Sequence, residues 1–175
     1  RGAARSMVGG LPTDCVHWLT SLGVVDRIGE EYRSDSTNYS LLRRVQCYRL
    51  FRVLGIDDFL EAAMRAISPC SGVVGARLKR LPTIVRKLDR QPDMKLSRMA
   101  DLIGLRVVCQ SVDEANAVVS RLEASPWFLR KLDYCDSPRD TGYRSRHVIF
   151  RSHQPAPASA GPLRVDFEIQ VRTYY

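Results

Sequence analysis

One stretch near the C-terminus alternates polar and apolar residues, and its polar residues are of types that bind phosphates and metal ions. The stretch Leu163–Thr173 reads L-R-V-D-F-E-I-Q-V-R-T. Its period of two is typical of a β-strand with one face on a core. The other face is then either exposed to solvent or part of a functional site, and this strand alone leaves both possibilities open. Its polar members are Asp166, Glu168, Gln170 and Arg172.

Further polar residues of similar types occur in earlier stretches of the chain. Chemistry at the phosphates of a nucleotide needs carboxylates for Mg²⁺, cations for the phosphate oxygens and a flat group for a base. Asp101 and Glu168 would suffice as metal ligands if neighbouring strands bring them together. The chain has neither a G-x-x-x-x-G-K-[ST] nor a G-x-G-x-x-G loop, so bound phosphates must be held by side chains. The remaining candidates are Arg77, Lys79, Lys87, Arg106, Tyr143 and His147.

Five segments, in this order, resemble the synthetase domain of the RelA/SpoT family. Members of that family transfer the β,γ-pyrophosphate of ATP to the 3′-hydroxyl of a purine nucleotide. The resemblance covers roughly residues 73–173 and implies a nucleotide pyrophosphokinase with a nucleotidyltransferase-like synthetase fold. The segments are G-A-R-L-K (75–79), T-I-V-R-K-L (83–88), D-L-I-G-L-R (101–106), P-R-D-T-G-Y-R-S-R-H (138–147) and E-I-Q-V-R-T (168–173).

The resemblance implies which residues bind ATP. Arg77 and Arg106 would hold the adenine between two planar guanidinium groups, a role that an ammonium group cannot fill. Lys79 and Lys87 would bind the ATP phosphates, and Asp101 would bind Mg²⁺.

The resemblance also implies an acceptor site and a catalytic base. Tyr143 would stack on the acceptor base, with Arg144 and His147 close to the acceptor's phosphates or sugar. Arg139 belongs to the same acceptor loop. Glu168 would share the metal ion and accept the proton of the attacking 3′-hydroxyl.

Two residues of the last strand would support this site. Gln170 and Arg172 lie on the same face as Glu168. Arg172 has an alternative role as a structural partner of Glu168 or Asp166.

The chain departs from the family pattern at three places. Arg139 stands where Lys is usual and Thr83 where Ser is usual, and no helix follows the R-T pair. The two substitutions keep the charge and the hydroxyl, so we expect pyrophosphate transfer to be retained. They leave open which nucleotide is the acceptor. No His-Asp type hydrolase domain is present in this sequence, so the chain is not expected to degrade its product.

The basic net charge, the lack of a hydrolase domain and of the trailing helix, and Arg139 in the acceptor loop make the chain resemble a toxic branch of the family. That resemblance implies an adenine-nucleotide acceptor, with ADP or ATP converted to (p)ppApp by an antibacterial toxin of the type VI secretion effector kind. Such a toxin would act in the cytoplasm of a target bacterium and would require an immunity protein with an acidic surface. The alternatives are a cytoplasmic (p)ppGpp synthetase using GDP or GTP, an enzyme that pyrophosphorylates the 3′ end of tRNA, and a non-catalytic module that binds nucleic acid or protein.

Composition limits the class of protein. The 175 residues are 45% hydrophobic and 26% charged, which is ordinary for a globular domain. The net charge of +8 favours a polyanionic partner. Five scattered cysteines predict free thiols in a reducing compartment. No apolar run is long enough to span a bilayer.

The order of helical and strand patterns predicts a mixed α/β (α+β) fold. We expect a central mixed sheet of about five strands flanked by helices, preceded by a helical N-terminal portion. Residues 1–10 are interpreted as a linker remnant of a longer protein and 11–175 as one synthetase domain, with a helical part (11–72) and a catalytic sheet (73–175). Predicted helices cover about 12–33, 38–54, 57–67, 82–90 and 112–124, and predicted strands about 73–79, 103–110, 127–135, 145–151 and 163–173.

The second helix has an arginine-rich face, which is interpreted as solvated. Its members are Arg43, Arg44, Arg49 and Arg52.

Overall fold

The computed structural model describes residues 7–8, 11–12, 17–54, 56–138, 140–154 and 161–174. Their contacts group into two compact units. The helical unit comprises the described parts of Arg1–Ile56, Lys79–Leu102 and His153–Val165. The sheet unit comprises the described parts of Asp57–Leu78, Ile103–Ser152 and Asp166–Tyr175.

The helical unit begins differently from the prediction. Met7–Val8 (β1) pairs antiparallel with Leu11–Pro12 (β2), and residues 13–16 lie outside the described residues. Among the described residues, the first helix is α1 (Leu22–Ser34), and residues 17–21, where the prediction also placed a helix, are not helical. The reason is local, because the Ser21 hydroxyl accepts from the N–H of Val24 at 3.3 Å and caps the helix there.

The second helix, α2 (Tyr39–Leu54), matches the prediction. Asn38 begins it, since its side-chain oxygen accepts from the N–H groups of Ser40 and Leu41 at 3.1 and 3.3 Å. An Asn at this position satisfies backbone donors that the first turn leaves unpaired.

The prediction of a solvated arginine face on α2 was wrong for two of its four members. Arg43 and Arg44 are exposed, whereas Arg49 is 8% exposed and Arg52 is fully buried. The guanidinium of Arg52 lies 5.9 Å from the centre of the Tyr48 ring, one turn earlier on the same helix face. An aromatic face attracts a cation in this arrangement, which helps to offset the cost of burying the charge.

A third helix of this unit, α4 (Leu81–Arg90), carries Pro82 in its first turn, as predicted. Short 3₁₀ turns follow at Leu96–Arg98 and Ala100–Leu102. The first turn packs tightly on α1, since a Cβ added at Gly29 would lie 2.7 Å from Leu96 Cβ. The shared core comprises Leu19, Val25, Ile28, Tyr32, Leu41, Val45, Tyr48, Phe51, Ile84, Leu88, Leu96, Met99, Leu102 and Leu163.

The sheet unit is built on five strands: β3 (Val73–Leu78), β4 (Ile103–Cys109), β5 (Phe128–Asp133), β6 (Arg146–Gln154) and β7 (Leu163–Thr173). They lie in the order β3-β4-β7-β6-β5. β3 pairs antiparallel with β4, β4 pairs parallel with β7, and β5 pairs antiparallel with β6. The predicted mixed α+β class with a mixed five-stranded sheet is therefore confirmed.

Helix α3 (Asp57–Ile67) lies where it was predicted, but it belongs to the sheet unit. Its Phe59 ring stacks on Phe167 of β7 at 4.7 Å and meets Phe150 of β6 at 5.5 Å between ring centres. Burying aromatic rings of this size against one another contributes strongly to a core.

Helix α5 (Val112–Glu123) begins with half of the predicted capping box. The Ser111 hydroxyl accepts from the N–H of Glu114 at 3.1 Å. The Glu114 carboxylate accepts instead from the N–H of Gln110 at 2.6 Å and from the N–H and hydroxyl of Ser71 at 2.5 and 2.8 Å. These donors lower the pKa of Glu114 to about 2.

Among the described residues, every helix is too short or too polar to cross a bilayer.

Candidate functional site

The polar face of β7 is buried. Asp166, Glu168 and Gln170 are 7%, 8% and 7% exposed, and side chains of the neighbouring strands β4 and β6 contact them: Arg106, His147 and Arg151. The possibility that this face is exposed to solvent was therefore wrong. A buried carboxylate is tolerated where charges or hydrogen bonds compensate for the lost water, and both carboxylates have such partners.

Glu168 is held at both carboxylate oxygens. Oε2 lies 3.1 Å from Nδ1 of His147, and Oε1 accepts from Nε2 of Gln170 at 2.7 Å. An ionised carboxylate can only accept hydrogen bonds, so Nδ1 of His147 carries a proton in this contact. In the neutral ring, Nε2 is then the acceptor of a hydrogen bond from the Tyr143 hydroxyl at 2.9 Å.

Gln170 connects this carboxylate to two guanidinium groups. Its Oε1 accepts from Arg106 Nε and Nη2 at 3.3 and 3.0 Å and from Arg77 Nη1 at 3.5 Å. The pairing of strands explains the convergence, since Arg106 of β4 is in register with Gln170 of β7. The sequence predicted only a supporting role for Gln170. In the structure its amide joins the Glu168 carboxylate to the guanidinium groups of Arg106 and Arg77.

Gly104 allows β4 to approach β7 closely. It is in register with Glu168, and an added Cβ would lie 2.0 Å from the Glu168 carbonyl oxygen. No side chain fits there without moving one of the strands. The glycine of the D-L-I-G-L-R segment thereby helps to position the strand that carries Glu168.

The predicted acceptor residues in the loop before β6 differ in how far they are exposed to solvent. Gly142, with φ of 73°, adopts the left-handed conformation that favours glycine. Tyr143, which follows it, is half-buried, whereas Arg144 is exposed and donates to the Cys135 carbonyl oxygen at 3.3 Å. Arg139 lies outside the described residues.

One aromatic residue of this site was missed by the sequence analysis. The ring of Tyr134 packs edge-on against Tyr143 and His147, with ring centres 5.9 and 5.1 Å away. Tyr134 directly follows β5, and its residue type and position carry no distinguishing pattern. The contact arises from the antiparallel pairing of β5 with β6, which the sequence does not specify.

A second cluster lies in the helical unit, centred on Asp101. Lys79 Nζ lies 2.6 Å from Oδ2 and Lys87 Nζ lies 2.8 Å from Oδ1. Burial raises the pKa of the Asp101 carboxyl, but the Lys87 and Lys79 ammonium groups outweigh burial and the pKa lies below its ordinary value. The cluster combines two cations with one carboxylate, which leaves one net positive charge.

Local backbone structure fixes this cluster. The N–H of Lys79 donates to the Leu102 carbonyl oxygen at 2.9 Å, beside the 3₁₀ turn that contains Asp101. Lys87 lies on α4, and its neighbours Ile84 and Leu88 are buried in the helical core.

Asp166 has a structural partner other than the one considered in the sequence. Arg151 of β6 binds it through two hydrogen bonds, Nε to Oδ1 at 2.8 Å and Nη2 to Oδ2 at 3.0 Å. From the sequence, Arg172 was considered as the structural partner of Glu168 or Asp166. Its Nε is buried and has no hydrogen-bond partner among the described residues.

A surface cleft of about 690 Å³ lies in the helical unit, between the end of α1 and the start of α2. None of the predicted site residues lines it. Its walls are formed by Glu30, Glu31, Arg33, Ser34, Asp35, Asn38, Ser40, Leu41 and Arg44.

Residues 76–175 match the family described as "Region found in RelA / SpoT proteins". The match covers more than half of the 175-residue chain. The chain belongs to the RelA/SpoT family. The sequence resemblance is confirmed at this level.

Two proteins of Bacillus subtilis (strain 168) are similar in sequence to this RelA/SpoT family chain. The GTP pyrophosphokinase YjbM is 34% identical over 110 residues, which is 61% of this chain and 51% of that protein. The GTP pyrophosphokinase YwaC is 30% identical over 106 residues, 56% of this chain and 49% of that protein. The chain thus spans about half the length of these relatives.

Solved structures share the fold. Small alarmone synthetase 1 from Bacillus subtilis, bound to its product pppGpp, has a TM-score of 0.58 and 26% identity, covering 71% of this chain and 69% of that chain. A GTP pyrophosphokinase family protein from Streptococcus pneumoniae has a TM-score of 0.55 and 26% identity, covering 73% of this chain and 66% of that chain.

Proposed function

We propose that this chain is an ATP-dependent pyrophosphokinase that acts on a purine nucleotide. The observation that carries the proposal is the buried Glu168 carboxylate, held by His147 and by a Gln170 amide that also binds two guanidinium groups. The names of the relatives, GTP pyrophosphokinases, support the same reaction.

The reaction assigns one step to Glu168. The 3′-hydroxyl oxygen of the acceptor attacks the β-phosphorus of ATP, the bond from that phosphorus to the oxygen of the α-phosphate breaks, and AMP leaves. The hydroxyl proton passes to the Glu168 carboxylate. His147 and Gln170 hold this carboxylate in one orientation, which is the requirement for a positioned base.

The cluster in the helical unit supplies cations for the ATP phosphates. Lys79 and Lys87 both pair with Asp101 in the structure, and these ammonium groups would bind phosphate oxygens when ATP is present. Arg77 and Arg106 present planar guanidinium groups, and they would flank the adenine.

Tyr143 would stack on the acceptor base. Its ring is oriented by the hydroxyl contact to His147 and by the edge of Tyr134. Arg139 and Arg144 would add cations for the acceptor's phosphates, and the exposure of Arg144 leaves it accessible for that contact.

Mg²⁺ fits the donor types of Asp101 and Glu168. Mg²⁺ prefers oxygen ligands and binds commonly through one or two carboxylates together with substrate phosphates. When bound, the ion would neutralise charge on the transferred pyrophosphate.

We propose adenine nucleotides as acceptors, in a toxin of the type VI effector kind opposed by an acidic immunity protein. The support is Arg139 in the acceptor loop and the net charge of +8. Guanine nucleotides are the second candidate, favoured by the names of the relatives. A competition assay with ADP, ATP, GDP, GTP and tRNA decides between them, and a guanine preference of about tenfold or more contradicts the toxin proposal.

The catalytic proposal is tested with Glu168→Gln. The amide keeps the shape and the contact with Gln170 but cannot accept the proton, so kcat should fall by roughly 10²–10⁴-fold while ATP binding changes little. Products are resolved by ion exchange after incubation with ATP, Mg²⁺ and each acceptor. If the wild-type chain forms no AMP with any acceptor, the chain is a binding module instead.

Asp166→Asn is the matched control. It removes a carboxylate from the same strand face, two residues away, whose partner is Arg151. This variant should lose stability without a comparable loss of kcat, because Asp166 has no role in the proposed reaction. Equal losses of kcat in both variants would show that Glu168 acts by supporting the strand.

A further inference from the structure

We propose that Cys70, Cys109 and Glu114 form a binding site for Zn²⁺ or a similar thiophilic ion. Sγ of Cys70 lies 3.6 Å from Sγ of Cys109. A carboxylate oxygen of Glu114 and the two sulfurs all lie within 4.8 Å of one another. The site is independent of the pyrophosphokinase proposal, since none of its residues belongs to the predicted nucleotide site.

The three residues come from separate segments of the sheet unit. Cys70 lies in the turn before β3, Cys109 ends β4, and Glu114 lies in the first turn of α5. The sequence contains no closely spaced pair of cysteines, so a search for metal-binding spacings did not detect this group. The antiparallel pairing of β3 with β4 brings the segments together.

The donor atoms select the ion. Thiolate sulfur favours Zn²⁺ and related soft ions, whereas Mg²⁺ and Ca²⁺ take oxygen ligands. Two Zn–S bonds of about 2.3 Å at a tetrahedral angle place the sulfurs about 3.8 Å apart, close to the observed separation. A water molecule would complete four ligands, and Cys70 is partly exposed and gives access to solvent.

Surrounding groups hold the donors in place. The N–H of Gly72 donates to Cys70 Sγ at 3.3 Å, a contact that stabilises charge on sulfur. Oε1 of Glu114 accepts two hydrogen bonds from Ser71, and Oε2 accepts one from Gln110. The Cys70 thiol is a further hydrogen-bond partner of this carboxylate, so a metal ion would take the place of the thiol proton between the two groups, and the other contacts act as supporting partners of a ligand.

The turn that carries Cys70 is packed closely against β4. A Cβ added at Gly72 would lie 2.0 Å from the Val108 carbonyl oxygen. Cys109, the next residue, is fully buried. The two sulfurs are thus held by backbone packing, which reduces the ordering that metal binding would require.

The test uses the whole chain, reduced and freed of metal with a chelator. Co²⁺ is added as a spectroscopic probe, followed by Zn²⁺ in competition. We expect one Co²⁺ per chain, with sulfur-to-cobalt charge-transfer absorption and the intense visible bands of tetrahedral coordination, both lost when Zn²⁺ is added. The same Zn²⁺ should raise the melting temperature.

Variants locate the site. Cys70→Ser, at the partly exposed position, should abolish the charge-transfer band and the thermal shift while the circular dichroism spectrum is retained. Glu114→Gln should weaken Co²⁺ binding about tenfold or more. Cys135→Ser is the matched control, because this half-buried cysteine belongs to the same unit and lies outside the group. Its Co²⁺ titration should equal that of the wild type.

Three results would overturn the proposal. The first is a wild-type protein without the charge-transfer band. The second is a band that persists in Cys70→Ser. The third is Co²⁺ binding to the reduced protein that Glu114→Gln leaves unchanged, because Glu114 would then not be a ligand. Pyrophosphokinase activity, measured with Mg²⁺ alone, should be retained in Cys70→Ser, so this outcome is separate from the proposed function.

Discussion

Nδ1 of His147 lies 3.1 Å from Oε2 of Glu168. The opposite nitrogen of the same imidazole lies 2.9 Å from the Tyr143 hydroxyl. The proposed base and the proposed acceptor platform are therefore joined by one ring, which is itself 8% exposed. Because the imidazole has only two nitrogens, any change of its tautomer or charge alters both contacts together.

His147→Ala should lower kcat and raise the KM for the acceptor, each by about tenfold or more, because it removes the group that positions both Glu168 and Tyr143. A tenfold change corresponds to about 1.4 kcal/mol. His147→Asn is the matched variant, because its amide lies near the position of Nδ1 and can still donate to Glu168. Steady-state kinetics should show kcat largely rescued in His147→Asn while the acceptor KM stays high. A rescue of neither parameter would contradict a positioning role through Nδ1.

Tyr143→Ala should raise the acceptor KM without a similar loss of ATP affinity, because stacking on a base is worth roughly 1–3 kcal/mol. Tyr143→Phe keeps the ring and removes the hydroxyl that contacts His147. Tyr143→Phe should therefore keep the acceptor KM of the wild type, and its kcat should change less than that of Tyr143→Ala. If Tyr143→Ala loses ATP binding selectively in calorimetry, the two nucleotide sites have been assigned in reverse.

Asp101 should stabilise the fold in a pH-dependent way. Its pKa is lowered in the folded state, so its contribution is fully present above the ordinary value of 3.8 and is lost as the pH falls through the lower folded value. Urea denaturation at pH 7 and at several values below 4 should show the wild type losing its advantage over Asp101→Asn. An advantage that is independent of pH would contradict the assignment of both lysines to this carboxylate.

Much of the fold could be predicted from the sequence where local patterns agree with tertiary packing. β7, α2, α3 and α4 lie at or within one residue of their predicted bounds, because alternation, an apolar stripe or an N-terminal Pro specifies each. The start of α1 could not be predicted in this way. Ser21 caps the helix there, although the apolar pattern continues on both sides of it.

The residue types and their order in the sequence suggested the members of the candidate site, whose roles stay predictions, but they did not indicate how these residues contact one another. Gln170 was expected to play a supporting role, yet it joins Glu168 to Arg106. Arg52 was expected in solvent because charged residues usually are, whereas its stem and guanidinium are buried beside Tyr48. Contacts of this kind depend on strand register and helix packing, which single residues do not encode.

Gly104→Ala should destabilise the sheet and reduce kcat together. The added methyl would lie 2.0 Å from the Glu168 carbonyl oxygen, so β4 and β7 must separate locally, and overpacking of this kind costs about 1–3 kcal/mol. Because Glu168 moves with its own backbone, the base would leave its position even in the folded fraction. Gly75→Ala is the matched control.

Gly75 lies on β3 in register with Arg106, and an added Cβ there meets no atom within 4 Å. Gly75→Ala should therefore leave the free energy of unfolding and kcat close to those of the wild type. Both variants are measured by urea denaturation and by kcat per folded molecule at a temperature where each is folded. Similar values for the two variants would mean that the close approach of β4 to β7 at Gly104 does not position Glu168.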